Sequence, residues 1–155
     1  MTNRKLAYIV KDQKPLVLAA HETVQQACRC MWERRAGSVL VIDDQQPLSG
    51  IFTGRDAVRT LAEGKDAAVT TLAQAMTPNP VTITPENRAI DALRAMSDGG
   101  FRHLPVIEDG RIWASSRAVI SRGWRSIGWM RKIICGNAFA DDNASVGGVP
   151  SSACT

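Results

Sequence analysis

The sequence is poor in the residues that do chemistry. Its 155 residues include two histidines, His21 and His103, and a single tyrosine, Tyr8. The histidines are far apart, and no nucleophile elbow, glycine-rich phosphate loop or metal-ligand cluster accompanies them. No catalytic constellation can therefore be assembled from motifs, and the chain reads as a non-enzyme. The four cysteines, Cys28, Cys30, Cys135 and Cys154, have no zinc spacing. Cys28 and Cys30 stand two apart in a helical pattern and point to different sides. Reduced thiols are expected, with Cys28 buried as a small hydrophobe. No apolar run reaches the roughly 18 residues of a membrane span. The opening Met1-Thr2-Asn3-Arg4-Lys5-Leu6 lacks the apolar stretch of a secretory signal, which makes the cytoplasm the expected location.

What is present is an ordinary globular composition, 45% hydrophobic and 22% charged, enough for one or two small domains. A net charge of +4 invites a nucleic-acid reading, but its distribution argues against one. Residues 114–155 carry Arg117, Arg122, Arg125, Arg131 and Lys132 against Asp141 and Asp142. The first 113 residues then hold 14 basic and 13 acidic side chains. A near-neutral body has no electrostatic footprint for a phosphate backbone.

The main signal is an internal repeat. A shift of 65 residues lays Val81-Thr82-Ile83-Thr84 over Leu16-Val17-Leu18-Ala19, Ala92 over Ala27, Met96 over Met31, and Val106-Ile107 over Val41-Ile42. Each copy reads as strand, amphipathic helix, strand, acidic turn and strand. A period this long suggests two domain-sized halves about a pseudo-twofold axis. In the first copy Val24, Ala27, Cys28, Met31 and Arg35 form the helical stripe. Ser38–Ile42 follows as a strand buried on both faces, then the polar turn Asp43–Pro47, the strand Gly50-Ile51-Phe52-Thr53, and a helix from Asp56 to Glu63 closed by Gly64. In the second copy Thr84 is expected to cap a helix with Pro85 at its first position and Glu86 on its dipole. Ala89, Ala92, Leu93 and Met96 carry its stripe, Gly99-Gly100 ends it, and Phe101–Ile107 is expected as a strand before the turn Glu108-Asp109-Gly110. Between the copies, Ala67–Met76 reads as a connector and Met76-Thr77-Pro78-Asn79-Pro80 as a non-helical loop. Trp32, on the flank of its helix, is expected in the core or in a dimer contact.

Met76-Thr77-Pro78 with Val81-Thr82-Ile83, Phe101-Arg102-His103-Leu104-Pro105-Val106, and above all Gly50-Ile51-Phe52-Thr53-Gly54-Arg55-Asp56 resemble a tandem pair of CBS (cystathionine β-synthase) domains, a Bateman module. The resemblance covers about residues 7–113. It implies a mixed α/β fold of two β-α-β-β-α halves and a homodimer joined through helix faces. It also implies an adenine-nucleotide-binding regulatory module that changes conformation on binding AMP, ADP, ATP, NAD or S-adenosylmethionine and needs no cofactor for chemistry. The nucleotide-binding residues so implied are Thr53, Arg55, Asp56, Thr82, Arg102 and His103, with Thr53 on a phosphate or ribose oxygen and Asp56 on the ribose hydroxyls. Physical chemistry gives the same turn a reason. Thr53 ends a strand and Asp56 opens a helix, where free N–H groups and the dipole make an anion site. The plainer alternative is that Thr53 and Asp56 only cap that helix. A structural dimerisation domain with an empty cleft is the competing function.

The second copy departs from the first near its end. The segments expected are a first half at 7–66, a connector at 67–80, an incomplete second half at 81–123 and an irregular stretch at 124–155. Arg117 and Ile120 stand where Thr and Asp belong. Codons for Ala114–Gly123, read one nucleotide earlier, can give Gly-Ile-Val-Thr-Arg-Gly-Asp-Phe-Lys-Gly, which restores the strand and the Thr-x-x-Asp turn. Residues 114–155 thus read as an out-of-frame tail after one lost G beyond the Trp113 codon. Such a tail was never selected to pack, so loose order is expected there.

Overall fold

The structure, a computed structural model, describes residues 4–11 and 13–115. Arg117, Ile120, Cys135, Cys154 and the rest of the predicted out-of-frame tail beyond Ser115 lie outside the described residues. Within them, α1 (Leu6–Val10) leads to β1 (Val17–Ala19), α2 (Val24–Glu33), β2 (Ser38–Ile42), β3 (Gly50–Thr53) and α3 (Gly54–Ala62). The chain continues through α4 (Leu72–Ala75), β4 (Thr77–Pro78), α5 (Ala89–Gly99), β5 (Pro105–Glu108) and β6 (Arg111–Ser115). One sheet has the order β1-β2-β3-β4 and the other pairs β5 with β6. The fold is the mixed α/β architecture expected, two halves of the same plan.

The repeat extends to individual backbone pairings. Parallel pairing of β1 with β2 sets Leu18 opposite Val41. Sixty-five residues on, a parallel bridge sets Ile83 opposite Val106. The Val81–Thr84 strand shrinks to that one bridge, with Ile83 accepting from and donating to β5 backbone at 2.9–3.0 Å. The two short helices complete the symmetry by exchange. The α1 N–H groups of Leu6 and Ala7 donate to Asn87 and Pro85 in the second half, while those of Leu72 and Ala73 in α4 donate to Glu22 and Ala20 in the first. Reciprocally, Ala89 N–H donates to Arg4 and Val24 N–H to Thr70. Each half is thus completed by the short helix that the chain places before the other half. This exchange ties the halves together by backbone hydrogen bonds, beyond any packing of apolar faces.

The core is aliphatic. Val39, Leu40, Val41 and Phe52 are wholly buried, so β2 is covered on both faces as expected. On α2 the buried residues are Val24, Ala27 and Cys30. The expected burial of Cys28 is corrected: it is half-buried, a free thiol with its pKa pushed up by desolvation. Cys30 takes the inner position, wholly buried. Trp32 is 86% exposed, which removes it from the core.

Arg35 does not extend the apolar stripe, because α2 ends at Glu33. Arg35 adopts φ 51°, while Ala36 N–H reaches Met31 O and Arg35 N–H reaches Trp32 O, the two bonds of a Schellman cap. Its repeat partner, Gly100, has φ 66° and closes α5 with Phe101 N–H on Met96 O. The same cap is thus built once with glycine and once with arginine.

The second helix starts later than its sequence suggested. Asn87 Oδ1 accepts from Thr84 N–H at 3.1 Å and from the Thr84 hydroxyl at 2.7 Å, and Asn87 N–H returns to Thr84 O. These bonds close Thr84–Asn87 as a turn, so α5 begins at Ala89, 65 residues after Val24. Strand β5 is likewise shorter than expected and starts at Pro105. The Asp109-Gly110 turn has φ 48° and 74°, the left-handed pair of a tight hairpin. Antiparallel pairing sets Val106 opposite Ala114, as it sets Val41 opposite Gly50.

Candidate functional site

The turn between β3 and α3 is built around one carboxylate. Asp56 is 5% exposed. Its Oδ2 accepts from the Thr53 backbone N–H at 2.9 Å and from the Thr53 hydroxyl at 2.8 Å. Its Oδ1 accepts from the Thr77 hydroxyl at 3.3 Å and faces the Arg59 guanidinium at 3.1 Å. Arg59 also donates to Ala75 O at 2.7 Å. The plainer alternative is therefore realised as geometry: Asp56 occupies the third helical position of a capping box and locks Thr53 in place. The carboxylate also joins three elements, since Thr77 belongs to β4 and Arg59 to α3. Buried carboxylates persist where they are fully hydrogen-bonded and faced by a cation, and Asp56 meets both conditions.

Beside this turn lies a cleft of about 590 Å³ between the halves. Thr53, Gly54, Arg55 and Asp56 form its first-half wall, and Phe101, Arg102 and His103 its second-half wall. Thr77, Asn79, Pro80 and Val81 of the connector close one side, and Met31 and Ile51 contribute apolar surface. That size and mixed lining suit a small organic ligand with a few polar groups. The structure brings together five of the six residues singled out from the sequence. Thr82 goes elsewhere: it lines a separate cavity of about 300 Å³ with Pro47, Leu48, Ile107 and Gly110. Neighbours along an extended segment face opposite ways, so Val81 turns to the cleft and Thr82 away.

Sequence reasoning missed Thr77 and Asn79. They sit in a segment read as a non-helical loop, where Met76-Thr77-Pro78 carried part of the resemblance but no site role, and their approach depends on β4 pairing with β3, which sets Thr77 opposite Ile51. No local pattern announces that pairing. Arg59 was missed as well, although its spacing three residues after Asp56 on a helix is a signal that could have found it. His21 is exposed, as a solvated residue should be. Among the described residues, no group of three or more His, Cys, Asp or Glu could hold a metal ion. Nor is any described helix long and apolar enough to cross a membrane.

The CBS domain pattern matches this chain twice, over residues 9–63 and 70–113. The chain is 44% identical over 102 residues to the CBS domain-containing protein CBSCBSPB2 of Arabidopsis thaliana, a match covering 65% of this chain and 19% of that protein. It thus spans about a fifth of the length of such relatives. Among solved structures, the CBS domain pair of protein MJ0100 in complex with 5′-methylthioadenosine and S-adenosyl-L-methionine superposes with a TM-score of 0.70 at 21% identity, over 79% of this chain and 96% of that one. A hexameric CBS-CP12 protein from bloom-forming cyanobacteria superposes with a TM-score of 0.69 at 23% identity, covering 78% of this chain and 68% of that one.

Proposed function

Since the chain belongs to the CBS domain family, we propose that it is a regulatory module that binds an adenosine-containing ligand between its two halves and performs no chemistry. The observation that carries this reading is the convergence of Thr53, Arg55, Asp56, Arg102 and His103 on one cleft. A CBS domain pair of the same fold holds adenosine compounds, which supports the ligand class. Asp56 is the residue assigned to the ribose diol. Two of its donors are threonine hydroxyls, and a ribose hydroxyl replaces either of them without leaving the carboxylate short of a bond. The capping role and the ligand role are therefore compatible.

Ligand in the cleft touches both halves, so its binding biases their relative arrangement, which is how such a module signals to a partner. The halves proposed are residues 7–66 and 81–123, joined by 67–80. Association with a second copy through helix faces is part of the same proposal. Trp32 on α2 and Val58 and Leu61 on α3 are 86%, 65% and 70% exposed, more apolar surface than two isolated helices need leave open. The deciding experiment is thermal unfolding with a panel of AMP, ADP, ATP, NAD and S-adenosylmethionine. A ligand at a hundredfold its Kd adds about 2.7 kcal/mol to stability. No shift from any of them at millimolar concentration leaves the structural dimerisation domain as the function.

A further inference from the structure

The Asp56 carboxylate is fully occupied by the protein's own groups. A carboxylate offers about four acceptor positions, shared between its two oxygens. Oδ2 takes the Thr53 backbone N–H at 2.9 Å and the Thr53 hydroxyl at 2.8 Å, while Oδ1 takes the Thr77 hydroxyl at 3.3 Å and faces the Arg59 guanidinium at 3.1 Å. A further hydroxyl therefore reaches this carboxylate at full strength only by displacing one of the four. They are not equally held. The Thr53 N–H is main chain at the start of α3 and cannot turn away. The Thr53 hydroxyl is short-bonded and only three residues from its acceptor. Arg59 brings charge, and the same nitrogen is anchored on Ala75 O at 2.7 Å. The Thr77 hydroxyl is neutral, makes the longest of the four contacts, and belongs to an exposed residue that lines the cleft. A rotation about χ1 releases it to water.

Resting on the adenosine reading above, we propose that Thr77 is an internal competitor of the ligand: its hydroxyl holds the position on Asp56 that a ribose hydroxyl takes. Ligand entry then acts on the connector as well. Strand β4 is Thr77–Pro78 alone, and it meets β3 with Pro78 opposite Gly50 and Thr77 opposite Ile51. Pro78 has no N–H to add to that ladder. Beyond it, Asn79 takes a left-handed φ of 47° and donates its N–H to Ser49 O at 3.2 Å. The Thr77–Asp56 bond is a side-chain tie from this segment to α3. When a ribose hydroxyl replaces it, β4 is left with its short ladder to β3, and Thr77–Asn79 loosens. The carboxylate exchanges a partner in the connector for a partner in the ligand, so occupancy of the cleft is transmitted to the segment that joins the halves.

The test is calorimetric titration of the full chain, and of its T77V and T77S variants, with adenosine and with 2′,3′-dideoxyadenosine, which lacks both ribose hydroxyls. T77V keeps a β-branched side chain on a strand and removes the competing hydroxyl, whereas T77S keeps the hydroxyl. A neutral hydrogen bond at the weak end of its range corresponds to about two- to fivefold in an equilibrium constant. T77V is therefore expected to bind adenosine about two- to fivefold tighter than the wild type and dideoxyadenosine equally well, with T77S like the wild type. Amide hydrogen exchange reads the connector: adenosine is expected to speed exchange at Asn79 in the wild type and to leave it unchanged in T77V. A Thr77 that only supports the cleft predicts the opposite, weaker adenosine binding in T77V. Adenosine affinity unchanged or lowered in T77V, an equal gain for dideoxyadenosine, or slower exchange at Asn79 in the liganded wild type would overturn the competition while the adenosine reading stands. Failure of adenosine to bind any of the three proteins would overturn that reading, and the competition with it.

Discussion

Replacing Asp56 by alanine removes more than a helix cap. A cap alone is worth about 1 kcal/mol, and on the sequence alone the fold would be expected to tolerate the change. The structure adds to that loss. Asp56 is 5% exposed and also binds the Thr77 hydroxyl of β4 and the Arg59 guanidinium. Loss of the carboxylate leaves the Thr53 N–H without its 2.9 Å acceptor, and an unmet donor costs about 1–3 kcal/mol where it is shielded from water. The Arg59 contribution is small, because that side chain is 49% exposed and its pairing is solvent-screened. The expected loss is about 2–3 kcal/mol, which for a body of this size lowers the melting temperature by roughly 10–20 °C. Asp56→Asn keeps one acceptor oxygen for the Thr53 N–H and is expected to lose about half as much. Far-UV circular dichroism against temperature and urea reads both. A midpoint lowered by less than about 4 °C in Asp56→Ala would refute the view that this carboxylate braces β3, α3 and β4. Ligand titration well below the midpoint is expected to show adenosine affinity reduced by roughly tenfold to a hundredfold as well.

Three further outcomes can be measured. Arg35→Gly removes a non-glycine residue from φ 51°, a conformation costing about 1–2 kcal/mol; after the added chain entropy of glycine, a gain of up to about 1 kcal/mol is expected in urea unfolding, and a loss would contradict the cap assigned to it. Gly50→Ala places a Cβ 2.9 Å from the Thr77 carbonyl and 2.3 Å from the Met76 sulfur; overpacking of this kind costs about 1–3 kcal/mol, and an unchanged urea midpoint would mean that β4 does not hold its place against β3. Insertion of one G after the Trp113 codon is expected to restore the Thr-x-x-Asp turn and raise nucleotide stoichiometry from one to two per chain by calorimetry, whereas an unshifted gene in the source organism encoding Arg117 and Ile120 as they stand would sink the out-of-frame reading.

The repeat, and most of what repeats, was legible in the residue pattern. Sixfold coincidence of apolar positions at one shift is hard to satisfy unless both copies bury the same faces, and β2, α2 and the β3–α3 turn all formed where their patterns placed them. Helix ends were less legible, since they depend on single side-chain bonds. Asn87 captures Thr84 and delays α5, while Arg35 takes a left-handed position that its repeat partner fills with glycine. What crosses between the copies was set by long-range packing. The exchange of α1 and α4 consists of backbone hydrogen bonds, which carry no side-chain signature. The approach of Thr77 to Asp56 spans 21 residues of chain, and the cleft that Arg55 and Arg102 both line draws on both halves. Periodicity reports which face of an element is buried; which other element buries it is fixed by packing at long range, and there the cleft is made.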